Sequence, residues 1–375
     1  MKRFLTRCMV LGLAVLPAQA KADPPSAANS NAGVAAVVLP ADDKPATGKS
    51  ASPLLSTDSC SASPCPVSPC YDQPAPEHCQ SRFDVFAEYL YWSVHNQNIA
   101  YAQPFDGVGV LSVPRGDVAQ VSPRYTNGFR LGAGVGVGDD GWLVGTYTYF
   151  HDTATSTITA STPFVLHSFL TFPNTTDSAG DSQKASAAMA IDLQLADLDY
   201  KWNFLSCEHV TLTWVNGFRY AHEDEKLLVT QQITGTTLIA PTISFDGGGP
   251  RTGLEGEYRI GNGLFGYTKA MASLLAGEFD GTYIERNIFT GLVGNTTIRD
   301  DRLVPILELE LGFGWQSSSG RVRISGGYYV GSWFNAMTIP SLANSIQATN
   351  FTHNANNNSD NMTFDGLVGR LEFRF

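Results

Sequence analysis

The side chains best placed to do chemistry in this 375-residue chain are charged groups set two residues apart. Glu255, Glu257 and Arg259 are spaced this way, as are Asp199 and Lys201, Glu308 and Glu310, Arg321 and Arg323, and Arg370, Glu372 and Arg374. A period of two puts such residues on one face of a β-strand, where successive side chains alternate. Glu88, Arg130, Asp192, Arg219 and Lys269 hold equivalent positions in segments of their own. With Asp84 and Asp197 added, acidic and basic groups nearly balance. Facing each other across a lumen, rings of one sign would select ions. Balanced charges in a narrow barrel would instead pair into ladders that stop water and solutes.

Other motifs carry less. Gly132 to Gly138 repeats glycine at every second position, but no helix follows, so small lumen-facing residues explain it better than a dinucleotide loop. Gly138-Asp139-Asp140-Gly141 supplies two carboxylates where calcium takes ~6–8 oxygen ligands, and it reads as a turn. His222-Glu223-Asp224 reads as a solvated charge run where a strand leaves the membrane. No G-x-S-x-G elbow and no H-E-x-x-H helix occurs. A surface hydrolase would need Ser and His on adjacent strands near the outer rim, where only His151 and His222 stand at strand ends. An enzyme is not expected, nor a catalytic, cofactor or metal site.

The elements that must position these charges are strands. In 303–315, Leu307, Leu309, Leu311, Phe313 and Trp315 oppose Glu308 and Glu310; in 363–375, Leu367, Leu371, Phe373 and Phe375 oppose Arg370, Glu372 and Arg374. In 83–94, Val85, Ala87, Tyr89 and Tyr91 oppose Asp84 and Glu88, and in 321–335 Ile324, Tyr328 and Val330 oppose Arg321, Arg323 and Tyr329. Segment 187–203 fits this scheme only with a bulge near Ala196 that brings Asp192 and Gln194 onto the face of Asp197, Asp199 and Lys201. For 142–151 the two faces cannot be told apart. These runs exceed the ~5–6 residues usual in globular strands and suit the ~9–11 of tilted transmembrane strands.

The connections alternate in length. Short ones fall at 138–141, 205–209, 261–263 and 316–320, and long ones at 95–124, 152–186, 223–251, 280–302 and 336–362. Short periplasmic turns and long outer loops mark an outer-membrane barrel. The expected fold is therefore an all-β, antiparallel transmembrane barrel of ten strands over residues 82–375, or twelve if 226–245 hides another hairpin. An even count leaves both ends in the periplasm. Trp92, Tyr149, Trp202, Trp315, Tyr328 and Trp333 are expected at the two lipid interfaces. The partner is then outer-membrane lipid, with the strand ending in Phe375 as the signal to the barrel-assembly machinery.

Before the barrel, Lys2, Arg3 and Arg7, an apolar run from Cys8 to Leu16 and Ala18-Gln19-Ala20 form a signal peptide over 1–20. Residues 21–81 are rich in Ala, Pro and Ser, a periplasmic tail that cannot bury enough apolar surface to order itself. It carries Cys60, Cys65, Cys70 and Cys79, while Cys207 stands apart. In an oxidising compartment these are expected to form disulfides, an odd thiol remaining free or pairing between chains. The tail is the place for oligomer or cell-wall contact. The net charge of −11 argues against a nucleic-acid partner.

Gly128-Phe129-Arg130-Leu131-Gly132, Gly217-Phe218-Arg219-Tyr220-Ala221, the run Leu264 to Gly277, and Gly326-Gly327-Tyr328-Tyr329 with Trp333-Phe334-Asn335 resemble the ordered strand motifs of the Legionella-type major outer membrane protein family. The resemblance covers 83–375 and implies an outer-membrane location and porin-like activity, with no catalytic residues to carry over. Three functions follow from these expectations: a pore for small hydrophilic solutes or ions, a structural or adhesive barrel with a closed lumen acting through loops such as Asn344 to Asn361, and a soluble periplasmic β-domain.

Overall fold

The computed structural model describes residues 83–108, 111–138, 140–172, 181–232, 235–349 and 359–375. The expected signal peptide and tail, with Cys60, Cys65, Cys70 and Cys79, lie outside them. Ten long antiparallel strands close into a barrel. They are β1 (Phe83–His95), β4 (Thr126–Val137), β5 (Gly141–Thr159), β8 (Lys184–Ser206), β9 (Val210–Gln232), β10 (Thr236–Gly261), β11 (Leu264–Asn287), β12 (Gly291–Gln316), β13 (Val322–Met337) and β14 (Ser359–Arg374). Closure runs through β1, which pairs with β14 from Asp84↔Arg374 to His95↔Thr363 and with β4 on its other side. Every edge is thus paired, which a bilayer without water demands. Among the described residues no helix is long and apolar enough to cross a membrane.

The expected ten strands are all present, but several run far beyond their expected ends. At about 3.3 Å per residue and a tilt near 40°, the 26 residues of β12 reach roughly 65 Å along the axis, against an apolar band ~25 Å tall. The expected loops at 223–251 and 280–302 are mostly the continuation of β9–β10 and β11–β12. Residues 226–245 add length to existing strands and not a further hairpin.

In this outer extension the polarity of the alternation inverts. Along β8 the outward Leu198, Tyr200, Trp202 and Phe204 are exposed, while Asp197 and Asp199 are buried inside. Over the seven residues before Ala196, Leu195, Leu193, Ile191 and Met189 point inward and Asp192 and Gln194 outward, with unbroken register through Ala196. No bulge forms there; the strand has left the lipid, so its outer surface meets water and its inner face must be dry.

That inner face holds the protein's apolar core. Trp92, Phe150, Phe364, Trp333, Phe245 and Phe279 fill the upper barrel, with Trp92 stacked on Tyr329 at 4.4 Å between ring centres. Trp92 and Trp333 are therefore core residues, 1% and 2% exposed, and not interface anchors. Trp202, Trp315 and Tyr328 do face outward and are exposed, and Tyr149 shares the outward face of β5 with Leu143 and Tyr147.

Three loops close the top. The β1–β4 loop contributes β2 (Ile99–Phe105) and β3 (Ala119–Val121), and the β5–β8 loop contributes β6 (Val165–Ser168) and β7 (Asp181–Ser182), together a small sheet in the order β3-β2-β6-β7. The β13–β14 loop contributes helix α1 (Ile339–Thr349), whose Ile339, Leu342, Ala343 and Ile346 form an i, i+3, i+4, i+7 stripe buried in the core. Thr338 caps it: Ser341 N donates to Thr338 Oγ1 (3.3 Å), and Thr338 N donates to Ser341 Oγ (3.0 Å), a reciprocal box. The polar loop expected from Asn344 thus starts inside a packed helix. Gln347 Nε2 ties α1 to Thr171 O at 2.5 Å.

Candidate functional site

The candidate site is the lumen. It is a stack of three tiers, each set by what the inward positions of neighbouring strands supply at one height. The register brings Asp197 of β8 opposite Arg219 of β9, and Glu310 of β12 opposite Lys269 of β11. At the waist Arg219, 1% exposed, grips Asp197 through Nε (2.6 Å) and Nη2 (2.9 Å) and reaches Glu308 Oε2 through Nη1 (2.9 Å). Arg251 of β10 binds Asp199 and lies 3.2 Å from Asp197 Oδ2. Glu88 of β1 accepts from Arg130 (2.8 Å) and Arg370 (3.1 Å), with Lys269 Nζ at 3.7 Å. Lys269 donates to Glu310 at 2.9 Å, and the Tyr329 hydroxyl to Glu308 at 2.7 Å.

Such charges repay their desolvation only when geometry and further hydrogen bonds are good. Here the pairs form two groups, one around Arg219 and one around Glu88, which meet where Arg130 lies 5.9 Å from the centre of the Tyr329 ring. A residual space of about 50 Å³ lies among Glu88, Arg130, Asp197, Arg251 and Glu308, room for a few waters and no solute. Small inward residues make the lattice and its neighbours fit: a Cβ on Gly132 would stand 2.2 Å from the Phe86 ring, and Arg370 lies 3.6 Å over that same ring.

Below the waist the lumen widens into a cup of about 1380 Å³ open toward the short turns. Lys201 donates to Glu255 at 2.7 Å, Arg323 to Glu257 at 2.5 Å, and Arg374 to Glu372 at 2.6 Å. Arg259 and Arg321 sit at the rim, largely exposed. Cys207, in the turn between β8 and β9, is disulfide-bonded. Above the waist lies the aromatic core tier.

Sixteen of the seventeen expected lumen residues therefore face the interior or its rim. Asp192 does not: it lies on the outer surface, where its Oδ1 meets His151 Nδ1 at 2.5 Å. The inversion of polarity above the lipid is the reason. Arg251 was missed because 223–251 read as a loop, although Arg251, Gly253, Glu255 and Glu257 continue one period-two face. Tyr329 was placed on the correct face, yet nothing in its spacing announced the contact with Glu308. His151 and His222 both point outward, His222 to Asp246 Oδ1 at 2.9 Å, and among the described residues no serine hydroxyl is paired with either. Among the described residues no group of His, Cys, Asp and Glu is arranged to hold a metal ion.

Comparison with known proteins gives the family. The model of the family described as Legionella pneumophila major outer membrane protein precursor matches residues 75–375. No curated protein matches the chain. Among solved structures, the outer membrane protease OmpT of Escherichia coli is similar over 78% of this chain and 97% of its own, with 11% identity and a TM-score of 0.43. A Pseudomonas aeruginosa FadL homologue is similar over 79% and 90%, with 9% identity and a TM-score of 0.22. A mutant of the monoaromatic hydrocarbon channel TodX is similar over 79% and 91%, with 6% identity and a TM-score of 0.27.

Proposed function

The chain belongs to the Legionella major outer membrane protein family, a β-barrel of the outer membrane, and we propose that it works as a closed surface barrel whose outer extension meets the outside. One observation carries this reading: the lumen is filled at two successive levels, by the ion-pair lattice around Arg219 and by the aromatic tier around Trp92. Barrels near eight strands are filled by their own side chains, whereas open channels need roughly 16–18. Ten strands with this interior belong with the filled ones. The extension above the lipid has a dry core and a polar outer wall, as a soluble domain does. Its tips carry exposed apolar groups, including Ile288 and Phe289 at the end of the β11–β12 hairpin.

The cup favours a second reading. A wide charged vestibule on one side suits a solute pore, the porin-like activity that the family resemblance implies, provided the lattice and the core tier move. Single-channel recording in a planar lipid bilayer separates the two. The closed barrel gives no steady conductance while heat-modifiable gel migration shows it folded. Stable stepwise current from the folded wild-type chain would overturn the closed reading and make ion selectivity the next measurement.

A further inference from the structure

On the inner face of β9, beyond the outward Tyr220 that marks the lipid boundary, two glutamates stand where every cross-strand register partner is apolar. Glu223 and Glu225 are 1% and 0% exposed. On β8 their register partners are Leu193 and Ile191; on β10 they are Phe245 and Ile243. Glu225 Oε2 accepts from Ile339 N, the first residue of α1, at 2.7 Å, while its Oε1 has no partner. The Glu223 side chain makes no hydrogen bond or ion pair among the described residues, and its Oε1 is buried without a partner. A buried charge normally carries its counter-ion with it. Here none comes.

The charged groups nearby do not change this. On β9 itself Asp224 faces outward and is paired with Lys226 at 3.3 Å, and His222 is paired with Asp246. Arg219, four residues below Glu223, is committed to Asp197 and Glu308. From β12, Arg302 holds Asp300 at 2.8 Å and lies over the Phe279 ring. Asp192 of β8 and Asp360 of β14 are acids and add repulsion. The packed face of α1 offers Ile339, Leu342 and Ile346.

We infer that Glu223 and Glu225 form a proton-held latch that keeps α1 seated in the mouth of the barrel, closed when both are protonated and released when they ionise. The inference rests on the closed-barrel reading and supplies its regulation. Protonated, the pair is compatible with the apolar wall, and the Glu225 carboxyl still accepts from Ile339. Ionised, two like charges two residues apart share a dry wall, and leaving it restores their water. Burial pushes Glu225 up to about 8, with Asp360 adding, and pushes Glu223 well above the usual carboxylate range, with Glu225 adding. For the sign, the closed state binds more protons than the released state, whose glutamates titrate near the ordinary value. Closure is therefore firmest in acid and weakens as pH rises through the interval up to about 8. Each pH unit in that interval shifts the closed-to-released ratio by up to about tenfold per glutamate.

The test is amide hydrogen exchange of residues 339–347 in the full chain in lipid, at pH 6 and pH 9, corrected for intrinsic exchange and referred to strand residues 307–313. The expected result is a loss of α1 protection of at least tenfold at pH 9 beyond any change in the reference. The double variant Glu223→Gln with Glu225→Gln keeps the acceptor and removes the charge, so its α1 should stay protected at both pH values. Should the double variant misfold on gels, Glu225→Gln alone should reduce the pH slope. Equal wild-type protection at pH 6 and 9, or a slope that survives in the glutamine variants, overturns the latch. Bilayer recording at pH 6 keeps the two readings apart. Current with α1 protected sinks the closed barrel and spares the latch; silence with pH-independent protection does the reverse.

Discussion

Replacing Arg219 by Ala removes the group on which the waist lattice turns, and the cost can be worked from its partners. Arg219 makes two hydrogen bonds to Asp197 and an ion pair with Glu308, all at 2.6–2.9 Å and out of water. Breaking a buried pair by deleting one member typically costs ~3–5 kcal/mol, because the partner stays buried and uncompensated. Two features lower that here. Asp197 keeps Arg251 at 3.2 Å, and Glu308 keeps the Tyr329 hydroxyl at 2.7 Å. The expected loss is therefore at the lower end, about 3 kcal/mol, or roughly a hundredfold in the folding equilibrium. Urea unfolding in lipid vesicles, followed by tryptophan fluorescence and by gel migration, measures it. Arg219→Lys keeps the charge but not the fork that holds both Asp197 oxygens, and should fall between Ala and wild type. With the aromatic tier around Trp92 still in place, the same Ala variant should carry no steady current. An Arg219→Ala barrel as stable as wild type within about 0.5 kcal/mol would mean that the lattice is not what holds the waist, since surface-like changes stay in that range.

Three further outcomes follow from the same geometry. Leu309→Arg, on the exposed lipid face of β12, should cost ~2–4 kcal/mol in lipid; assembly as stable as wild type would count against the assigned face. Gly132→Val drives a Cβ to within 2.2 Å of the Phe86 ring, so about 1–3 kcal/mol of overpacking is expected, with Phe86→Ala restoring stability in the double variant. Asp192→Asn loses only an outer-surface contact with His151, worth ~0–1 kcal/mol, and should leave single-channel behaviour unchanged; a changed current would return Asp192 to the lumen.

How far the structure could be read from the sequence depended on the solvent at each height. Within the lipid, β12 alternates Leu307, Leu309, Leu311 and Phe313 with Glu308 and Glu310; one face must be apolar, so faces and strand count were both legible. Above the lipid the same period continues with the two solvents exchanged. Ala185 to Leu195 then looks out of phase with Asp197 to Lys201, and a bulge seems required where the backbone runs straight. The same exchange hid Arg251 inside an apparent loop, and drew Trp92 and Trp333 to an interface when they belong to the core. Glu223 is the sharpest case. In the run His222-Glu223-Asp224 it reads as solvated, and only the inward parity of β9 shows that it is dry, as is Glu225 two residues on.

The polar outer wall also bears on how the barrel reaches its place. Exported strands arrive from the periplasmic side, so everything above the lipid band must first travel through it. On β8 and β9 alone the travelling surface includes Asp192, Gln194, His222, Asp224 and Lys226. An outward basic charge at the bilayer midplane costs ~2–4 kcal/mol and an acidic one less, and neighbouring strands carry such groups at similar heights. Summed around the wall, the passage opposes spontaneous insertion, and once completed it opposes withdrawal equally. The extension thus acts as a barb: a barrel slow to insert unaided and, for the same reason, kinetically trapped once inserted.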